Sequence, residues 1–281
     1  MAAYYNEIDP FAAQWLRELI AQGFIADGVV DERSITEVQP DDLREFTQCH
    51  FFAGIGGWSF ALKLAGVPDD FSIWSGSPPC QPFSVAGQNN ERKKGVKDER
   101  HLWPFFGNLI SKCAPAIVVG EQVEAAIAHH WLDIVADDLE NLGYACGAAV
   151  IPAASLGAPH ARSRLYWAGV LNELVHGSAE IQLANPGSNG FGGRDSASSD
   201  QRSRELQVDG EERISRATSI WSNTEWRAGK DGIIRPHEPL SFPLAYGIPA
   251  RVGRLRGYGN AIVPQVGATF IRALLESCKL L

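Results

Sequence analysis

The chain has 281 residues, 45% of them hydrophobic, enough for one well-buried domain plus a smaller one, and no apolar run reaches the roughly 18 residues of a membrane span. The N-terminus lacks the basic-then-apolar pattern of a secretory signal, and the five cysteines (Cys49, Cys80, Cys113, Cys146 and Cys278) are odd in number without C-x-x-C spacing. A cytoplasmic protein with neither a disulfide framework nor a cysteine-based zinc site is expected. The net charge of −8 does not itself point to nucleic acid, but it is uneven: residues 1–190 carry 12 Lys/Arg against 23 Asp/Glu, whereas 191–256 carry 11 against 9.

Tyr4 and Tyr5 end a short predicted strand, Asp9 fits an N-cap and Pro10 a first helical residue. Phe11, Ala12, Trp15, Leu16, Leu19 and Ile20 recur at helical spacing until Gly23. "HFFAGIGG" then reads as a strand entering a glycine turn, and "WSFALKLAG" as the helix after it. "FSIWSGSPP", "AIVVGEQ" and "ACGAAVIPA" read as buried strands, with "AIAHHWLDIVADDLENLG" as an amphipathic helix between the last two. Strands alternating with helices imply a doubly wound, mostly parallel α/β sheet. From Leu171 to Arg235 the chain is rich in Gly, Ser and Asn, which predicts a loop-dominated or partly disordered insertion. "SFPLAYGIPARVGRLRGYGNAIVPQVGATFIRALLES" is globular again and ends in a helix.

Four segments carry candidate chemistry. "FAGIGG" (Phe52, Ala53, Gly54, Ile55, Gly56, Gly57) puts glycines at a strand-to-helix junction, where backbone approaches a ligand; taken alone it reads equally as a tight turn. "GSPPCQPFS" sets Cys80 behind two prolines at the carboxyl end of a strand, where open α/β sheets hold ligands, although a lone Cys is otherwise a small buried hydrophobe. Glu121 ends the strand of "VVGEQV", either solvated at a loop or set into a site. In "GAPHARSRLYWAG", His160, Arg162 and Arg164 alternate, so an extended segment would place all three on one side, as a site or as a solvated strand face.

In this order the four segments resemble the DNA (cytosine-5)-methyltransferase family, and "YGNAIVPQVGATF" resembles its last conserved segment, which closes over the cofactor. The resemblance implies a Rossmann-like, class I S-adenosylmethionine-dependent fold with a small irregular target-recognition region. It implies Cys80 as the nucleophile adding at C6 of a flipped-out cytosine, Glu121 as the acid toward N3, and Arg162 and Arg164 as its cationic neighbours, favouring the thiolate. S-adenosylmethionine would meet Phe52 to Gly57, Pro79, Asn260 and Ala261; no metal is implied. Double-stranded DNA is the expected partner of a monomeric bacterial or phage enzyme; a restriction endonuclease partner is not visible in the residues.

Gln122 stands where the family usually has Asn, and His160 where it usually has Gln. Two further cofactor-binding units normally lie between the glycine loop and the Pro-Cys loop, and only one helix and one strand fit between Gly57 and Ser77. "NEIDPFAAQWLRELI" resembles the first of these, with Glu7 for the ribose and Ile8 for the adenine face. "GVVDERSITEV" resembles the second, with either Asp31 or Ser34 near the adenine amino group. A circular permutation is therefore expected, the alternative being an unrelated helical extension beside a truncated cofactor site. The expected organisation is a catalytic and cofactor-binding domain over 1–170, with motif-like segments 4–38 and 51–57, a target-recognition region over 171–250 carrying Arg227, Lys230 and Arg235 as DNA-contact candidates, and a returning segment over 251–281. The rival readings are a transfer-RNA cytosine-5 methyltransferase, a catalytically silent DNA-binding relative, and a pyrimidine-nucleotide enzyme with a C6-attacking cysteine.

Overall fold

The computed structural model describes residues 3–79, 102–158, 160–175, 257 and 259–280, with the backbone alone at His129, 225–228 and 234–237. Seven strands form one sheet: β1 (Ala3–Asn6), β2 (Gly28–Asp31), β3 (Gln48–Phe51), β4 (Ile73–Gly76), β5 (Ile117–Val123), β6 (Tyr144–Pro152) and β7 (Ser163–Leu171), in the spatial order β2-β1-β3-β4-β5-β7-β6. The first five run parallel, and β7 lies antiparallel to both β5 and β6. The doubly wound, mostly parallel α/β sheet read from the sequence is thus the fold. Residues 3–31 are strands and a helix of this sheet rather than an appended helical extension, because β1 pairs residue for residue with β3, Tyr5 opposite His50.

Strand alternation sends successive side chains to opposite faces. Phe51, Trp74, Val118 and Trp167 meet helices α3 (Trp103–Cys113) and α4 (Trp131–Asn141) on one face. Ile73, Ile117, Val119 and Tyr166 meet α2 (Gly57–Ala65) and α5 (Pro264–Ser277) on the other, and Tyr5 joins α1 (Pro10–Ala21) there through Leu16. The first face is centred on Trp103, whose ring stands edge-on to Trp131 and Trp167 at 6.1 and 5.6 Å and whose Nε1 donates to Asp138 Oδ2 at 2.7 Å.

Two local readings change. The helix expected from Ala126 is divided: a 3-10 turn spans Glu124–His129, His130 sits at φ 57°, and only then does α4 begin. The sequence reading also passed over α3. Its apolar positions Trp103, Phe106, Leu109 and Ile110 are buried at helical spacing, and Pro104 stands in its first turn. Of the region 171–250, the structure describes the end of β7, a short turn at Asn172–Leu174, and a hairpin of β8 (Glu225–Ala228) and β9 (Ile234–His237), in which Arg227 and Arg235 occupy opposed positions. Among the described residues, no helix is long and apolar enough to cross a membrane.

Candidate active site at the carboxyl ends of the strands

The parallel strands deliver their carboxyl ends to one edge of the sheet, where doubly wound folds hold ligands. β1 ends in Asn6 and is followed by Glu7, whose Oε2 accepts the Gly54 N–H at 2.7 Å while Oε1 accepts the Asp9 N–H at 2.8 Å. The N-terminal acid and the glycine turn, 47 positions apart, are therefore in direct contact. Asp9 in turn caps α1, accepting from the backbone of Phe11 and Ala12. Ile8, beside this carboxylate, leaves 65% of its surface open, an unusual state for an isoleucine and a ready apolar platform.

The glycine turn is closed in by chain from both ends of the molecule. Gly56 caps α2 at φ 80°, and a Cβ there would press on Ile25 and Leu16 from 3.2 and 3.3 Å. At Gly57 a Cβ would lie 2.8 Å from Ile262 Cγ1, so only glycine admits the C-terminal segment this closely. Phe52 also holds a positive φ of 53°, a strained state for an aromatic residue. A carboxylate beside loop N–H groups, an open apolar side chain and a helix N-terminus together fit a nucleoside cofactor.

Asp31 is already engaged. Its Oδ2 accepts Tyr4 Oη–H at 2.7 Å and Arg33 Nη2–H at 2.6 Å, and its Oδ1 accepts the Arg33 N–H at 2.9 Å. Burial works to raise its pKa, but the bonds from Arg33 and Tyr4 outweigh burial and hold the carboxyl below the ordinary range. Arg33 also reaches Asp42 at 2.9 Å. Ser34, half-buried, accepts from Thr36 Oγ1–H at 2.8 Å.

Further along the same sheet edge, Glu121 is 8% exposed, and its Oε1 lies 2.9 Å from Arg164 Nε. The pair is diagonal across β5 and β7, since Arg164 stands opposite Val123 in register. Burial pushes the Glu121 carboxyl above the usual carboxylate range, with Arg164 and then Arg162 pulling the other way. A buried acid whose proton is held longer than usual, next to a cation, has the character of a general acid.

The alternation expected of His160, Arg162 and Arg164 does not hold. β7 begins at Ser163, and Arg162 precedes it with φ 28°, which breaks the two-residue period. Arg162 instead donates through Nη2 to the carbonyls of Gly259, at 3.0 Å, and Ala261. It ties the C-terminal segment, with Asn260 and Ala261, to the mouth of β7. His160 is exposed, and burial and then the Arg162 charge lower its pKa.

Ser77, to which the sequence reading gave no role, and Gln122 complete the arrangement. Ser77 Oγ accepts from Trp58 Nε1–H at 3.0 Å and from the Glu121 N–H at 3.3 Å. Gln122 Nε2 donates to the Pro78 carbonyl at 3.1 Å. Pro79 is exposed, and Cys80, like Lys230, lies outside the described residues. Among those residues no cluster of His, Cys, Asp and Glu could hold a metal ion.

Residues 63–189 match a family model described as C-5 cytosine-specific DNA methylase. The Type II methyltransferase M.AplI of Arthrospira platensis is 34% identical over 105 residues, 37% of this chain and 28% of that protein. The orphan methyltransferase M.SPRI of Bacillus phage SPR is 29% identical over 110 residues, 38% of this chain and 24% of that protein. The Type II methyltransferase M.HhaI of Haemophilus parahaemolyticus is 25% identical over 178 residues, 49% of this chain and 53% of that protein. The chain thus spans between a quarter and about half of the length of these relatives.

Proposed function

We propose that this chain, which over residues 63–189 belongs to the C-5 cytosine-specific DNA methylase family, is a DNA (cytosine-5)-methyltransferase acting on a flipped-out cytosine in a short duplex sequence. The observation that carries the reading is Glu121, buried against Arg164 and joined through its N–H to Ser77, three residues ahead of Cys80. Cytosine C5 is a poor nucleophile until a thiolate adds at C6, and Cys80 is the residue to add. The electron pair displaced from the C5–C6 bond is accommodated as Glu121 donates its proton, or a hydrogen bond, to N3. Arg164 holds Glu121 in place and balances the carboxylate formed when the proton leaves. When bound, S-adenosylmethionine supplies the electrophilic methyl group that the activated C5 takes up. Loss of the C5 proton to a base then expels Cys80 as thiolate and restores the aromatic ring. Access to C6 requires the base to leave the stack.

The cofactor half is read as a circular permutation, with β1, α1 and β2 serving as the second and third cofactor-binding units and β3 as the first. Its support is the parallel pairing of β1 with β3 and the bond from Gly54 N–H to Glu7. Glu7 would hold the ribose, Ile8 the adenine face, and the turn from Phe52 to Gly57, with Pro79, Asn260 and Ala261, the remainder. Region 171–250 is read as the target-recognition part, with Arg227, Lys230 and Arg235 as its candidates for contact with DNA phosphates or bases.

The test is incubation of labelled S-adenosylmethionine with cytosine-containing DNA, transfer RNA and free cytidine nucleotide. Label is expected at C5 of cytosine in DNA. Label confined to RNA or to the nucleotide would overturn the reading.

A further inference from the structure

The geometry points to Trp58 as a positioning residue for the nucleophile loop, acting through Ser77; the inference rests on the methyltransferase reading and deepens it. Trp58 belongs to the first turn of α2, directly after the glycine turn, and is 6% exposed. Its ring stands edge-on to Tyr166 at 6.0 Å, and Tyr166 is the cross-strand partner of Glu121. On its other side the indole meets α5, 3.7 Å from where a Cβ on Gly267 would stand. The ring cannot turn without displacing these neighbours, so the direction of its N–H is fixed.

That N–H and the Glu121 N–H both end on Ser77 Oγ. A hydroxyl accepting two hydrogen bonds has used both lone pairs and is locked in rotation. Ser77 also precedes a proline, which restricts its own backbone, and Pro78 and Pro79 each have φ fixed by the ring. The Pro78 carbonyl is held in turn by Gln122 Nε2. From Ser77 to Pro79, the residue before Cys80, the chain is therefore stiff, and its base is anchored by the bonds from Trp58 and from the Glu121 N–H. Since Trp58 sits on the helix that follows the glycine turn, one residue joins the cofactor side, the nucleophile loop and the strand of the acid. A small rotation at Ser77 would carry Cys80 away from the approach line to C6, a geometric loss rather than a loss of binding.

The experiment compares Trp58→Phe, which keeps a ring and removes the N–H, with Ser77→Ala and the double variant, in steady-state methylation of cytosine-containing DNA and in thermal unfolding. Each single variant is expected to lower kcat roughly 10- to 100-fold. KM for DNA and for S-adenosylmethionine should stay within about twofold, and the double variant should fall no further than Ser77→Ala alone, because that substitution already removes the Trp58 bond. Ser77→Ala removes a single oxygen and with it the bonds from both Trp58 and the Glu121 N–H, so it reads the Ser77 anchor as a whole even if Trp58→Phe unfolds. Variants with wild-type kcat beside an active wild type, or single losses that multiply in the double variant, would overturn the inference and leave the proposed function standing. A wild-type chain that methylates no cytosine-containing DNA would remove the proposed function and this inference with it.

Discussion

The two sides of the candidate site lie along one sheet edge but are made of different material. Around β1 and β3 the candidate site is largely backbone: the glycine turn and the start of α2, with the Glu7 carboxylate bonded to the Gly54 N–H. Around β4, β5 and β7 it is side chains, buried or half-buried: Arg164 and Ser77, each bonded to Glu121, and Gln122, bonded to the Pro78 carbonyl. A site built from backbone depends on the path of the chain and is sensitive to added volume. A site built from buried charge depends on desolvation and is sensitive to changes in protonation.

Glu121→Gln should separate the two sides most sharply. It keeps a partner for Arg164 but removes the transferable proton, so single-turnover methylation should fall by roughly 10²- to 10⁴-fold while S-adenosylmethionine affinity holds. The pH dependence has a defined sign. Burial raises the Glu121 pKa, so its proton persists above the ordinary carboxylate range. The wild-type rate should fall as pH rises through that raised value, and the residual rate of Glu121→Gln should lack this limb. By linkage, the raised pKa also gives stability that is full below the ordinary Glu value and lost as pH rises through the folded one.

Gly57→Ala addresses the backbone side. The added Cβ meets Ile262 Cγ1 at 2.8 Å, and overpacking of this kind costs about 1–3 kcal/mol in denaturant unfolding. An unchanged midpoint would mean that the C-terminal segment yields freely and does not define the glycine turn.

His50 lies beneath the seam between the two sides, stacked on Tyr5 at 5.0 Å with Nδ1 at 2.7 Å from Ser75 Oγ. Its Nε2 is buried with no partner among the described residues, and burial pushes its pKa down to about 3. The unfolded chain therefore binds this proton first. Stability is full above the ordinary histidine value near 6.5 and is lost as pH falls toward 3, with a slope of at most about 1.4 kcal/mol per pH unit. Urea titrations across that range should show a shallower acid limb in His50→Leu.

Much of this was legible in the sequence because it rests on local chemistry. Glycines at a strand-to-helix junction, an N-cap Asp before Pro10, and an acid at the end of an apolar strand each announce themselves within a few residues. What escaped depends on contacts between distant segments. Alternation placed Arg162 with Arg164 only if the chain is extended there, and the bonds of Arg162 to Gly259 and Ala261, 97 and 99 residues away, accompany a different backbone. The bonds that hold Asp31 were not legible, because neither Tyr4 nor the turn that brings Arg33 onto it shows in the strand pattern. Trp58 read as one more apolar residue of an amphipathic helix, since only the fold brings Ser77 to its N–H.

The claim that the N-terminal segment completes the cofactor side is tested most directly by calorimetric titration of S-adenosylmethionine into the wild-type chain and Glu7→Ala. The account predicts binding by the wild type and a loss of about 10-fold or more in affinity on removing the carboxylate, in proportion to a hydrogen bond made to a charged group. Equal affinities in the two proteins would contradict it.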